Sequence, residues 1–70
     1  MKFSKKKMAE RLNKAGIQGW DTEDVIKIMD NLDGCDATAS NWRRVVHDEP
    51  LLWVVGKDGT GQYVYESDCE

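Results

Sequence analysis

The single proline of the chain, Pro50, separates two segments of different character in the C-terminal half. Before it, Ala39–Asp48 (ASNWRRVVHD) has the apolar spacing of a helix, and a proline disfavours helical geometry at the residue that precedes it. After it, LLWVV and QYVYE have the composition of strands, and the Asp58-Gly59 pair between them favours a type I′ turn. The pattern therefore predicts a helix followed by a β-hairpin.

The turn also predicts which residues of the hairpin face each other. A two-residue turn would pair Leu52 with Tyr65, Trp53 with Val64 and Val54 with Tyr63. The alternative is a longer loop that includes the flanking Gly56 or Gly61, which would shift this register. An isolated hairpin is marginally stable in water, so one face must pack on the helices, and the sequence leaves open which face that is.

Two further helices are predicted before this region. The first runs from Lys5 to Ala15, with Ser4 as N-cap and Gly16 as the residue that ends it. Phe3 and Met8 have the spacing of a hydrophobic staple. Cations in the first turn oppose the helix dipole, which is a reason to expect them at a phosphate; these are Lys5, Lys6 and Lys7.

The second helix carries the clearest end signals. Asp21 is the expected N-cap, Asp24 would complete a capping-box variant, and Trp20 with Val25 has staple spacing. Asp33-Gly34 ends the helix. Its buried stripe is predicted to be Val25, Ile28, Met29 and Leu32.

The third predicted helix has one apolar and one polar face, although Asp36, Thr38 and Ser40 are all possible N-caps. The apolar face is Ala39, Trp42, Val45 and Val46; the polar face is Ser40, Asn41, Arg43, Arg44 and His47. The element order predicts one α+β domain over residues 1–70, with three helices followed by a C-terminal β-hairpin. Residues 67–70 are expected to form a loose tail.

Composition indicates a small globular domain. The chain has 70 residues, of which 40% are apolar and 33% charged, and no apolar run approaches the length of a membrane span. A cytoplasmic protein without a membrane partner is the expectation, with Cys35 and Cys69 as free thiols. The net charge of −3 opposes non-specific binding of nucleic acid, but the cations concentrate in the first and third predicted helices.

Motifs for metal binding and catalysis fail on inspection. An EF-hand loop with Gly34 at its sixth position would have Met29 and Ser40 where acidic ligands are required. His47 and the two cysteines lack the paired spacing of a structural zinc site. The Gly-rich GKDGTG lies between two strands and has no following helix to bind phosphate. We therefore expect neither an enzyme nor a cofactor.

The segment SNWRRVVHDEPLLWVVGKDGTGQYVY resembles the second half of a winged helix-turn-helix domain, in the order of polar helix, strand, Gly-rich wing and aromatic return strand. In such domains the recognition helix enters the major groove and the wing touches the backbone or minor groove. The resemblance implies a double-stranded DNA partner and a role in transcriptional regulation or as a mobile-element accessory factor. A domain this small buries little surface on DNA, so a homodimer or protein partner is also expected.

The predicted DNA contacts fall into three groups. The helix contacts are Thr38, Ser40, Asn41, Arg43, Arg44 and His47; the phosphate contacts are Lys5, Lys6 and Lys7; the wing contacts implied by the resemblance are Lys57, Thr60 and Gln62. Arginine and asparagine are the side chains that read guanine and adenine through paired hydrogen bonds.

The alternative hypothesis is an acidic protein-interaction module that regulates or inhibits a partner without binding DNA. Its surface would be the acidic second helix and tail, or Trp53, Tyr63 and Tyr65 if one hairpin face is uncovered. DNA binding requires the lysines of the first turn, the two arginines and Lys57 to share one face. The alternative requires a continuous acidic face and exposed aromatic rings.

Overall fold

The computed structural model describes residues 1–17, 22–38 and 44–70. In chain order the elements are α1 (Lys5–Lys14), α2 (Glu23–Leu32), β1 (Ala37–Thr38), β2 (Arg44–Val46), β3 (Glu49–Val55), β4 (Gly61–Tyr65) and a 3-10 turn (Glu66–Asp68). These ranges hold two α-helices and a four-stranded antiparallel sheet. The predicted order of three helices followed by a hairpin is therefore wrong, although the class is α+β.

The predicted third helix is replaced, in its described part, by a strand and a turn. Val45 pairs with Pro50 in an antiparallel ladder between β2 and β3. The two residues of the connecting turn, His47 and Asp48, have φ angles of 53° and 61°. These are the positive values of a type I′ turn, which His and Asp tolerate better than most residues. Residues 39–43 lie outside the described ranges, so the predicted faces are not assessed there.

Strand β3 is the centre of the sheet. It pairs with β4 along Leu51–Val55. Because Leu51 also pairs with Arg44, and Trp53 with Thr38, β1 and β2 both lie along the edge of β3 opposite to β4. The sheet therefore has β4 at one margin.

The hairpin register differs by one residue from the two-residue-turn prediction. Gly56 donates its N–H to the Thr60 carbonyl (2.6 Å), Gly59 donates to the Gly56 carbonyl (3.0 Å), and Gly59 has a φ of +89°. This is a longer loop ending in a left-handed glycine, instead of a type I′ turn at Asp58-Gly59. The observed pairs are Leu51 with Tyr65, Leu52 with Val64, Trp53 with Tyr63, Val54 with Gln62 and Val55 with Gly61.

This register decides which face is buried. Leu52, Val54 and Val64 lie on the face that packs against the helices, and Trp53 and Tyr63 lie on the other. The buried cluster is Phe3, Leu32, Ala37, Leu52, Val54, Val64 and Cys69, with Met8 and Cys35 packed against it. A slip of one residue would exchange the two sets of side chains.

Helix α1 follows its sequence signals closely. Ser4 is the N-cap and its Oγ accepts from the Lys7 N–H at 3.2 Å. At the other end Gly16 has a φ of +74°, and Ile17 N–H donates to the Leu12 carbonyl at 3.1 Å, as in a Schellman motif. The predicted cap and end of this helix are confirmed.

Helix α2 begins one residue later than its sequence signals predict. Thr22 is the N-cap and makes no side-chain capping bond, which moves Asp24 out of the capping-box position. The predicted cap Asp21 and its neighbour Trp20 lie outside the described residues. Of the predicted buried stripe, Met29 is buried but Ile28 is 40% exposed. Helix α2 therefore leaves an isoleucine at the surface.

The C-terminal residues are ordered, so the expectation of a loose tail is wrong. Lys2 and Glu70 exchange backbone hydrogen bonds of 3.0 and 2.7 Å, and Phe3 bridges to Cys69. Asp68 is only 2% exposed. The two ends of the chain thus form part of the folded core. Within the described ranges, no helix has the length and apolar character needed to cross a membrane.

Candidate protein-interaction site

The residues predicted to read DNA bases do not share one helix face where the structure describes them. Thr38 lies in β1 and donates its hydroxyl to the Trp53 carbonyl at 3.3 Å. Arg44 lies in β2, and His47 is in the exposed turn that follows it. Ser40, Asn41 and Arg43 fall outside the described ranges.

The lysines of the first turn are engaged with the protein itself. Lys5 forms an ion pair with Asp30 of α2, and this hydrogen bond raises the pKa of the Lys5 ammonium. Lys7 donates its ammonium to the Cys69 carbonyl at 3.1 Å. Lys6 is exposed. Two of the three lysines that were expected to contact phosphate therefore bind other groups of the protein.

The hairpin loop is tied to the C-terminal end of α2 through Asn31. The Asn31 amide donates to Asp58 Oδ1 (2.9 Å) and Thr60 Oγ1 (3.0 Å), and its Oδ1 accepts from the Asp58 N–H at 3.0 Å. The Lys57 N–H donates to the Asn31 backbone carbonyl at 3.0 Å. A loop held in this way is a fixed part of the domain, and the Lys57 side chain is exposed upon it.

Close packing at Gly56 completes this attachment. A Cβ atom at Gly56 would lie 2.1 Å from Asn31 Nδ2. Within the loop, Asp58 Oδ1 accepts from the Thr60 hydroxyl (2.7 Å) and N–H (2.9 Å). The Thr60 hydroxyl, its N–H and the Asn31 amide together lower the pKa of the Asp58 carboxyl. The carboxylate thus acts as an internal acceptor that organises the turn.

The outer margin of β4 is a free strand edge in the part of the chain that the structure describes. Because Gly56 and Thr60 form the hydrogen-bonded pair that closes the hairpin, alternation places the ladder bonds at Gln62 and Val64. The N–H and C=O groups of Gly61 and Tyr63 then point away from β3. No backbone group of the described residues outside the ladder bonds to either residue. Among residues 1–17, 22–38 and 44–70, the outward backbone groups of Gly61 and Tyr63 therefore have no backbone partner.

A groove runs beside this edge, between the strand and the two helices. It is a small open pocket of about 190 Å³. Its lining is Phe3, Met8, Arg11, Ile28, Leu32, Gln62, Tyr63, Val64, Tyr65 and Asp68. The lining is mostly apolar, and the exposed Ile28 lies in it, so the groove can accept an apolar side chain next to the free edge.

One end of the groove is rigid because of a paired arginine. Arg11 Nε donates to Asp68 Oδ1 (2.9 Å), and its Nη2 donates to Asp68 Oδ2 (3.0 Å). The Arg11 guanidinium also lies 5.2 Å from the centre of the Tyr65 ring. The hydrogen bond to Asp68 raises the pKa of Arg11. The bidentate pair fixes the end of the 3-10 turn against α1.

The opposite face of the hairpin carries aromatic side chains that pack against each other. The Trp53 and Tyr63 rings are 5.1 Å apart and inclined at 71°, an edge-to-face contact. A Cβ atom at Gly61 would lie 2.0 Å from the Trp53 ring, so the indole covers this glycine. All three aromatic residues of the hairpin are half-buried. The aromatic face named by one form of the alternative hypothesis is therefore partly exposed, and its role in binding a partner stays a prediction.

Metal binding and cysteine reactivity were also considered for the side chains that the structure describes. It holds no group of three or more His, Cys, Asp or Glu side chains arranged for a metal ion. Both cysteines are free, and burial raises the pKa of the Cys69 thiol, which disfavours a reactive thiolate.

The comparisons with known proteins add no family. No family model, no curated protein and no solved structure matches this chain.

The β4 edge was not predicted from the sequence, although a signal for it is present. Gly61–Tyr65 (GQYVY) carries neither a charged residue nor a proline, the devices that commonly protect an edge strand.

Proposed function

We propose that this chain is a protein-interaction module that binds an extended protein segment by adding it as a strand to β4. The free edge of Gly61–Tyr65 beside the apolar groove is the observation that carries the proposal. In strand addition, backbone hydrogen bonds supply affinity and neighbouring pockets supply specificity. The function is thus a form of the interaction hypothesis, located at an edge and not at the acidic helix.

The geometry gives each part of the site a role. The outward N–H and C=O of Tyr63 would bond to the bound strand. An apolar side chain of that strand would enter the groove between Met8 and Ile28. Since the loop is held by Asn31 and the far end by Arg11, the edge is pre-organised, and this reduces the entropy lost on binding.

Selection from a phage-displayed library of random short peptides would test this proposal. We expect selected peptides to shift the backbone NMR signals of Gly61–Tyr65. Ile28→Glu places a charge in the groove and should weaken binding by about tenfold or more. Val45→Glu is the matched control, because Val45 is a 60% exposed apolar residue of β2 that does not line the groove.

A backbone variant separates strand addition from simple apolar contact. Chemical synthesis with an N-methyl group on Tyr63 removes one outward N–H without removing a ladder bond. The proposal requires this variant to fold and to lose peptide affinity. Selected peptides that ignore both this variant and Ile28→Glu would contradict it.

DNA binding stays a prediction that needs its own test. The helix-mediated readout is not available in the form expected, because Arg44–Val46 is a strand. Duplex DNA of random sequence at low and moderate salt is the direct assay, since phosphate contacts weaken steeply as salt rises. Salt-sensitive binding that is lost in Lys6→Ala/Lys57→Ala would favour DNA over a protein partner.

A further inference from the structure

We infer that the segment bound at β4 carries an acidic side chain two residues from its apolar anchor, and that Arg11 is the residue that recognises this carboxylate. The inference rests on the proposed function and names the chemical class of its partner. It comes from the charged end of the groove, where a guanidinium lies beside the apolar lining. A small number of polar or charged groups in an apolar pocket fixes the orientation of a ligand and provides specificity.

The exposed part of the ion pair between Arg11 and Asp68 is the guanidinium. The side chain of Arg11 is 39% exposed and that of Asp68 is 3% exposed, so the cation meets the groove while its carboxylate partner is enclosed. A guanidinium has five N–H donors, and the two bonds to Asp68 use one at Nε and one at Nη2, which leaves three. Arginine binds carboxylates through paired N–H groups, so these donors suit a second carboxylate.

The charge of the surrounding helix favours an anionic side chain at this end of the groove. The whole chain has a net charge of −3, but α1 carries five cationic side chains and a single acidic one, Glu10. Lys14 lies one turn beyond Arg11 on the same side of the helix and is exposed. Other cations along α1 therefore offset the effect of Asp68, and β4 itself adds no charge that would repel an acid.

The position of Arg11 along β4 sets the spacing between the anchor and the acid. Ile28 lies one turn before Asn31, which binds the loop at the start of β4, whereas the Arg11 guanidinium lies over the Tyr65 ring at the end of β4. The apolar and the charged ends of the groove therefore follow the direction of the strand. Side chains on one face of an added strand are two residues, or about 6.6 Å, apart. One such side chain can lie against Ile28 while the next on that face reaches Arg11.

The sequences enriched in the phage-displayed selection give the first test. We expect the selected peptides to contain Asp or Glu two residues from an apolar residue. One such peptide is then synthesised with both ends blocked, beside a copy in which the acid is replaced by its amide. The amide copy should bind about tenfold more weakly, because it cannot form the charge-assisted bonds to the guanidinium. Titration followed by the backbone NMR signals of Gly61–Tyr65 at low salt measures both affinities.

A paired variant removes the recognition and keeps the fold. Arg11→Gln/Asp68→Asn replaces the ion pair by two amides that can bond to each other, so no buried charge is left alone. In this variant the acidic peptide and its amide copy should bind with equal affinity. Lys14→Gln is the matched control, because it removes a cation of α1 that does not line the groove and should keep the preference for the acid.

Several results would overturn the inference. Peptides that bind at β4 without an acidic residue, or that bind equally well when the acid becomes an amide, would contradict it and leave strand addition intact. Tighter binding of a peptide whose only carboxylate is its C-terminus would show that Arg11 recognises a chain end instead. A preference for the acid that persists in Arg11→Gln/Asp68→Asn would show that another cation is responsible. If no peptide binds at β4, the proposed function fails together with this inference.

Discussion

The attachment of the hairpin loop to α2 gives a prediction with a defined magnitude. Asn31→Ala removes three side-chain hydrogen bonds, to Asp58, Thr60 and the Asp58 N–H. Each such bond contributes about 0.5–1.5 kcal/mol net, and water can replace part of them because the loop is at the surface. We therefore expect the free energy of unfolding to fall by about 1–2 kcal/mol.

Gly56→Ala should act through the same contact. The new Cβ would lie 2.1 Å from Asn31 Nδ2, so the amide must leave its position and lose the same bonds. The expected cost is again about 1–2 kcal/mol. In the Asn31→Ala background this clash is absent, so Gly56→Ala should then cost little. The two substitutions should be non-additive, with a coupling about as large as either single effect.

Urea unfolding of the four chains of this cycle would measure the coupling. For a domain of this size the slope is about 1 kcal/mol per molar urea, so each single variant should lower the midpoint by about 1–2 M. Lys57→Ala is the control, because only the backbone N–H of Lys57 contacts Asn31. Additive costs, or a Gly56→Ala chain as stable as the original, would refute the reasoning.

Three further predictions concern single sites. The pKa of Asp58 is lowered in the folded state, so the stability that its carboxylate contributes is present above the ordinary carboxyl pKa and is lost as pH falls through the folded value. Between about pH 6 and pH 2, the free energy of unfolding should therefore fall less steeply in Asp58→Asn than in the unmodified chain. Arg11→Ala leaves the buried Asp68 carboxylate without its arginine partner, so the free energy of unfolding measured in urea should fall by about 2–3 kcal/mol. Equal stability of the variant and the unmodified chain would contradict this prediction. Gly61→Ala places a Cβ 2.0 Å from the Trp53 ring, so we expect about 1–3 kcal/mol of destabilisation and a change in tryptophan fluorescence, neither of which should occur if the indole lay elsewhere.

Local signals predicted helix α1 well because those signals act within one turn of the chain. Ser4 at the start of α1 and the left-handed Gly16 at its end both depend on neighbouring backbone groups. Such interactions are encoded by nearby residues and need no tertiary contact. The C-terminal tail failed for the opposite reason, since its order depends on Lys2 and Phe3 at the other end of the chain.

The third helix was predicted wrongly because its pattern also fits a strand. Val45 and Val46 suit helical spacing, but both are β-branched and favour strands as well. Pairing with β3 decides between the two, and it is set by a type I′ turn at His47-Asp48 that contains no glycine. The Asp58-Gly59 pair was itself expected to form a type I′ turn between the last two strands, but it lies in a longer loop there.

The loop attachment and the candidate site depend on each other through the register of the hairpin. Asn31 holds the loop in the form that pairs Trp53 with Tyr63, and this register turns the Tyr63 N–H and C=O toward the free edge. A slip of one residue would point these groups at β3 and bring the side chain of Tyr63 to the helix-facing side. Helix α2 therefore provides Ile28 to the groove and, through Asn31, sets which backbone groups the edge presents.

It follows that Asn31→Ala should weaken binding at β4 although Asn31 does not line the groove. The loss of affinity should be accompanied by changed NMR contacts across the hairpin. Unchanged affinity in a less stable chain would show that the loop stabilises the fold without setting the edge.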